Sequence, residues 1–243
     1  MDFAFMYETL LTLIAGIPLT LKLALSSVAC GSVLALLLAW LRMSGIGPLE
    51  WFARFYVFIF RSTPLLVQIF IIYYGLSQFR EVRMSFAWPL LRDPYWCALL
   101  ALSLNTAAYA SEIFRGGLQA VPLGQVEAAR AAGMTRFLMF RRIVLPLAIR
   151  QALPGYGNEL ILMIKATSLA SIITLMEITG LAAKLISETY RAIEVFIVAG
   201  LIYLVINFVV TRLVQYAEYR LTPHLRPAPG AATTATIESG ASA

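Results

Sequence analysis

Asn105, Tyr109 and Glu112 fall at i, i+4 and i+7 of one run, a polar stripe on an otherwise apolar rod. Asn158 and Lys165 lie seven residues apart on a second run and so share a face, with Ser168 close by, and Gln68 sits alone in a third. An amide, a phenol, a carboxylate and an ammonium set among apolar residues are not placed at random. Each ionisable group inside a membrane span costs about 2.5–3.5 kcal/mol on insertion scales, so such groups mark a pathway or a buried pair. Together they can bind the zwitterionic head of an amino acid, with Glu112 available to a cationic group or paired with Arg115. Lys22 is expected to snorkel to the outer surface, Arg61 to anchor the inner interface, and Glu159 to satisfy a neighbouring helix.

The elements that hold these residues are written in the composition. Of 243 residues, 60% are hydrophobic and only 13% charged, with a mean hydropathy of +0.80. Soluble domains are nearer a quarter charged, so most of this surface faces lipid. Runs long enough to cross a bilayer are Ile17–Trp40, Thr63–Gln78, Tyr95–Phe114, Leu153–Thr174 and Val195–Ala217. The reading is an all-α, polytopic membrane protein with five transmembrane helices. Thr63 and Pro64 read as N-cap and first helical residue of the second span, leaving Leu49–Phe60 as an aromatic elbow at the interface. In the first span Ser27, Gly31, Ala35 and Ala39 recur every four residues, a small-residue ridge for close helix packing.

Lys and Arg outnumber Asp and Glu by 19 to 13. That excess reads as loop charge rather than nucleic-acid binding, because membrane proteins collect cations in their cytoplasmic loops. With the N-terminus outside, the inner side receives Arg42 and Arg54, the six arginines from Arg115 to Arg150, and Arg212, Arg220 and Arg226, eleven against five. The expected topology is therefore N-out and C-in. No Lys or Arg precedes Lys22, so the first apolar run lacks the basic start of a cleaved leader. Cys30 and Cys97, with one His224, offer no metal-ligand spacing and read as small packing residues. No cofactor site is expected. Residues 227–243 are small, polar and unpatterned, so 221–243 is expected to be a disordered cytoplasmic tail.

One cytoplasmic stretch stands apart. Residues 127–146 read "EAARAAGMTRFLMFRRIVLP" and hold four arginines beside one acid. Gln125–Ala132 reads as a short alanine-rich helix stopped by Gly133 at the left-handed C′ position. Thr135 then caps a second helix, with Phe137, Phe140 and Val144 on one face, ending near Pro146. The first helix offers a thin face that another backbone can approach, and the second lays aromatics toward lipid and arginines toward phosphates and water. The same pattern also suits an amphipathic helix resting on anionic headgroups.

Glu127-Ala128-Ala129, three residues, Gly133, nine residues, Ile143, one residue, Leu145-Pro146 resembles the EAA loop of the permease subunits of bacterial binding-protein-dependent ABC importers. The resemblance extends to "RSTPLLVQIFIIYYGL" (61–76), "LNTAAYASEIFRGGLQAVPLGQVEAARAAGM" (104–134) and "LPGYGNELILMIKATSLASI" (153–172), which are similar to the polar-amino-acid branch. It implies the type I importer permease fold over residues 17–220, after an outer segment 1–16, with a coupling loop at about 120–146 docked in a groove of an ATP-binding subunit dimer. It further implies a second permease subunit, expected to be a different chain, a periplasmic solute-binding protein and the cell inner membrane. "KATSLASIITLMEITGLAAKLISETYRAIEVF" (165–196) points to the branch for histidine, other basic amino acids and opines. Many relatives carry an acid at the position of Ala166, which weakens any grip on a cationic side chain. The chain has no G-x-x-x-x-G-K-[ST] and no Gly-Lys pair, so the energy must come from another polypeptide. A membrane enzyme would need a convergent acid, base or nucleophile, and the acids here are scattered over different helices. An ATP-independent channel or carrier is the remaining alternative, and it has no use for a glycine corner at the inner surface.

Overall fold

A computed structural model describes residues 2–221, and every regular element in it is helical. Helix α1 is Phe3–Ile14, α2 Ile17–Met43 and α3 Gly47–Ser62. Helix α4, Leu65–Phe70, runs on through a π turn and a 3-10 turn to Gln78, and α5 (Arg80–Arg83) and α6 (Trp88–Leu91) are single turns. The second half holds α7 (Pro94–Gln119), α8 (Leu123–Ala131), α9 (Arg136–Met139), α10 (Leu145–Ala166), α11 (Ile178–Thr189) and α12 (Ala192–Leu221). Among the described residues α2, α7 and α12 are each long and apolar enough to cross a membrane. Two bent pairs, one of 104° at Ser62–Leu65 and one of 44° at Ile173–Ile178, make five crossings if each pair is one span. The segment 222–243, with His224 and Arg226, lies outside the described residues.

The small-residue ridge does what its spacing predicts. Ser27, Gly31, Ala35 and Ala39 are all buried, and α2 lies along α7 over much of its length. A Cβ on Gly31 would sit 2.8 Å from Thr106 Cβ and 2.9 Å from the Ser103 carbonyl oxygen, so only glycine permits this approach. Polar ties add to the packing: Tyr56 Oη donates to Leu104 O at 2.8 Å, and the hydroxyls of Ser32 and Tyr156 are 2.6 Å apart.

Several boundaries differ from the sequence reading, each for a physical reason. Pro64 is the N-cap of α4 and Thr63 the extended residue that ends α3 (φ −106°, ψ 142°), because a residue before proline is pushed out of the helical region. The aromatic elbow is a full helix, α3, with Trp51, Phe55 and Phe58 exposed along it. Pro146 ends nothing. A π turn at Phe140–Val144 joins α9 to α10, and the widened turn leads straight into the helix whose first turn holds Pro146. Helix α10 also passes through Pro154 instead of starting there. In lipid the neighbouring helices tolerate such a break in the ladder.

Two elements left no clear mark in the sequence. The N-terminal segment forms α1, where Asp2 accepts hydrogen bonds from the Ala4 and Phe5 amides. The Phe5 amide, and then Arg191, hold the Asp2 carboxyl below the usual carboxylate range. After Thr174, which takes a left-handed conformation (φ 68°), the chain forms α11 where a loop was expected. Glu177 is fully buried at the joint and accepts from the Thr179 and Gly180 amides at 2.8 and 3.0 Å, from Tyr203 Oη at 2.6 Å and from Thr20 Oγ1 at 3.3 Å. The first two bonds cap α11, and the last two fasten the joint to α12 and α2. Of the cysteines, Cys97 is buried as a packing residue and Cys30 is exposed.

Candidate functional site

The 104° corner between α3 and α4 opens a cavity of about 690 Å³ against α7 and α10. The corner breaks the helical ladder and turns carbonyl groups inward, where no water of the bilayer core can satisfy them. Gln68 answers them: its Nε2 donates to Phe60 O at 2.9 Å, to Thr63 O at 3.1 Å and to Thr63 Oγ1 at 2.9 Å. Its Oε1 accepts from Asn105 Nδ2 at 3.1 Å, and Asn105 also reaches Phe60 O at 3.4 Å. Two carbonyls around the Gln68 nitrogen fix which way its amide points. The pair therefore braces the corner, and Asn105 is at once a brace and part of the cavity wall.

Three charged side chains line the cavity: Arg61 on α3, and Glu159 and Lys165 on α10. Glu159 is only 6% exposed. The Arg61 guanidinium lies over the Tyr109 ring, 5.2 Å from its centroid, an attraction that strengthens as water is excluded. On α10 the wall runs Glu159, Leu162 and Ala166 at i, i+3 and i+7, with Lys165 on its flank and Leu169 in the 3-10 segment that follows. Ala166 also lines the cavity. One carboxylate against two cations leaves the site cationic when all three are ionised.

Of the residues singled out by spacing, Asn105, Tyr109 and Lys165 meet in this cavity, and Gln68 stands behind Asn105. Asn158 is exposed and outside the wall, one turn away on the flank. Glu112 is also outside it. Its Oε1 is 2.5 Å from Arg42 Nη1 and its Oε2 2.7 Å from Arg115 Nη2, a cluster that ties the C-terminal ends of α2 and α7. A carboxylate in a poorly hydrated setting is held by the nearest guanidinium groups, and here there are two. Arg61 and Glu159 were read as an anchor and a helix partner. No spacing rule links them, since one sits before a proline corner and the other a hundred residues on.

The elbow of α8 and α9 is a second site. Helix α8 ends in a Schellman arrangement: Met134 N–H donates to Ala129 O at 3.1 Å and Gly133 N–H to Arg130 O at 3.0 Å. Gly133 takes φ +74°, the left-handed value this motif requires. Thr135 Oγ1 accepts from Leu138 N–H at 3.4 Å and caps α9. Leu123, Gln125, Glu127 and Ala128 are exposed along α8, whereas Ala129 turns inward. Phe137 and Phe140 are exposed on the return helix, and Ile143, Leu145 and Pro146 carry the chain into α10. The elbow is thus one short rod, a glycine corner and a helix continuous with a span.

The chain matches the family described as "Binding-protein-dependent transport system inner membrane component" over residues 19–223. It is 64% identical over 225 residues to the octopine transport system permease protein OccM of Rhizobium radiobacter, covering 93% of this chain and 92% of that protein. The nopaline transport system permease protein NocM of Agrobacterium fabrum is 55% identical over 240 residues, 98% of this chain and 100% of the relative. The histidine/lysine/arginine/ornithine transport system permease protein HisM of Escherichia coli is 40% identical over 213 residues, 87% and 90% of the two chains. Among solved structures, an amino acid ABC transporter with histidines superposes with a TM-score of 0.81 at 37% identity, covering 90% of this chain and 99% of that one. The inward-facing MetNI methionine ABC transporter shares the fold, with a TM-score of 0.65 at 19% identity over 93% of this chain and 100% of that one.

Proposed function

This chain belongs to the binding-protein-dependent transport system inner membrane components, the permeases of ABC importers, and from that premise we propose that it carries opines, or basic amino acids like them, through the cavity at the α3–α4 corner. The observation that supports this reading most is the cavity's charge: Arg61 and Lys165 against Glu159, with Asn105 and Ala166 in the same wall. An amino acid presents one carboxylate and one ammonium, and an opine adds a further carboxylate. A wall with two cations and one acid suits the opine. Arg61 and Lys165 receive carboxylates, Glu159 receives the amine, and Asn105 orients the head group.

The work is supplied from outside the chain. Two ATP-binding subunits hydrolyse ATP and draw the elbows of two permeases together. Helix α8 is the part they grip, through the face of Glu127 and Ala128, and Gly133 fixes its angle to the helix that continues into α10. Ile143, Leu145 and Pro146 lie on that continuation. The second permease is a different chain, the N-terminus faces the periplasm, the C-terminus faces the cytoplasm, and a solute-binding protein delivers the substrate. Asn158 and Glu112 lie off the cavity, and Glu112 ties the inner ends of α2 and α7.

The test is a competition panel on the reconstituted importer, with octopine, nopaline, arginine, histidine, glutamine and glutamate presented through the binding protein. Opines are expected to stimulate ATP hydrolysis most. Arg61→Gln and Lys165→Gln should each reduce opine uptake by about 10–100-fold, the equivalent of one charge-assisted contact of about 1.5–3 kcal/mol. Uptake unchanged in both variants removes the cavity from the pathway.

A further inference from the structure

The elbow contains a cavity of its own, of about 680 Å³, lined by Arg130, Met134, Arg136, Met139, Phe140 and Val144. Arg130 is in the last turn of α8 and Arg136 is the first residue of α9. The left-handed turn at Gly133 folds one helix back on the other, so that two guanidinium groups six residues apart line the same space. Among the described residues no ion pair neutralises them. The ion pairs among the described residues are Arg42–Glu112, Arg115–Glu112, Arg54–Glu50 and Arg191–Asp2, and Glu127, one turn before Arg130, pairs with neither. Beneath the two charges the floor is apolar, with Met139 buried and Phe140 and Val144 beside it.

Arg130 and Arg136 are both exposed and line one cavity, so an anion that enters it meets two guanidinium groups at once. A guanidinium pair over an apolar floor fits a carboxylate on an apolar stem, because Arg binds carboxylates through two parallel hydrogen bonds. We propose that this cavity receives an acidic side chain from the ATP-binding subunit, so that each partner inserts into the other. The proposal rests on the reading of α8 as the docking element and adds a pocket on the permease side of the joint. Two observations favour a protein partner over a phospholipid headgroup. The last turn of α8 forms one wall of the cavity, and the outer face of that helix is uncovered, with Leu123 76% exposed, so a body that covers α8 also closes the cavity. In addition, residues 127–142 carry Arg130, Arg136, Arg141 and Arg142 against Glu127, a surface complementary to an acidic one.

The test uses the assembled pair of permeases in lipid nanodiscs, stripped of the ATP-binding subunit, which is then titrated back in purified form. Affinity is measured from roughly 50 to 500 mM NaCl, in discs of phosphatidylcholine alone and with added phosphatidylglycerol. The wild type should bind equally in both discs and weaken as salt rises. Arg130→Gln with Arg136→Gln should bind at least about tenfold weaker at low salt and lose most of the salt dependence, and the double Lys variant should recover part of both. Thermal unfolding of the discs confirms that the variants are folded. Wild-type affinity and salt dependence in the double Gln variant overturn the proposal. So does binding that requires phosphatidylglycerol and loses that requirement in the variant, which assigns the cavity to a lipid headgroup. Failure of the wild type to bind the ATP-binding subunit in either disc overturns the docking reading itself.

Discussion

Gln68 and Lys165 were drawn from the same kind of signal, a polar side chain in an apolar run, and the structure gives them opposite kinds of work. Gln68 is 6% exposed and spends its amide on the corner carbonyls and on Asn105. Gln68→Leu should therefore lower stability by about 1–3 kcal/mol, because Asn105 and two carbonyls lose a partner where water is scarce, and the change is read as a lower midpoint of thermal unfolding in detergent. Lys165 faces open space, and Lys165→Gln should leave that midpoint within the equivalent of about 0.5 kcal/mol while uptake falls. The stripe Asn105, Tyr109, Glu112 was legible because helical spacing is local. What the third member touches was only half legible: Arg115 lies one turn away, but Arg42 is seventy residues off on another helix. Glu112→Gln should leave Arg42, 15% exposed, without its charge partner, and destabilise the chain toward the lower end of the about 3–5 kcal/mol seen for broken buried pairs.

Among the elements, the ridge of α2 and the corner at Gly133 could be read because each rests on a residue with one geometric use. Gly31 admits α7, and Gly31→Val should force backbone apart along the seam. Overpacking of this kind costs about 1–3 kcal/mol, and the check is loss of folded protein in size-exclusion chromatography. Gly133 faces open space on every side, so its substitution strains only the local turn. Gly133→Ala should cost about 1–2 kcal/mol there, leave the permease in the membrane and reduce co-purification of the ATP-binding subunit, whereas undiminished co-purification detaches the corner from docking. The continuous path from α9 into α10 was hidden, since proline normally stops a helix and only the widened turn before Pro146 lets this one proceed. Helix α11 was hidden too. Its start depends on Glu177, whose partners Thr20 and Tyr203 come from the first and last spans.

At the scale of the whole molecule, apolar run length and the distribution of arginine are enough to read a helical membrane protein, because a bilayer imposes both. The 104° corner was not readable, and neither was the cavity behind it, because they arise where a pre-proline residue, a glutamine and three helices meet. The chain has a cationic chamber at one depth and a rigid elbow at another, joined by α10. We propose that this path carries force from nucleotide-driven subunits to the chamber. The most direct measurement is opine uptake into proteoliposomes holding the permease pair and the binding protein, with ATP inside, before and after the ATP-binding subunits are removed. Uptake should fall to background without them and return when they are added back. Uptake that persists at its full rate in their absence contradicts the account.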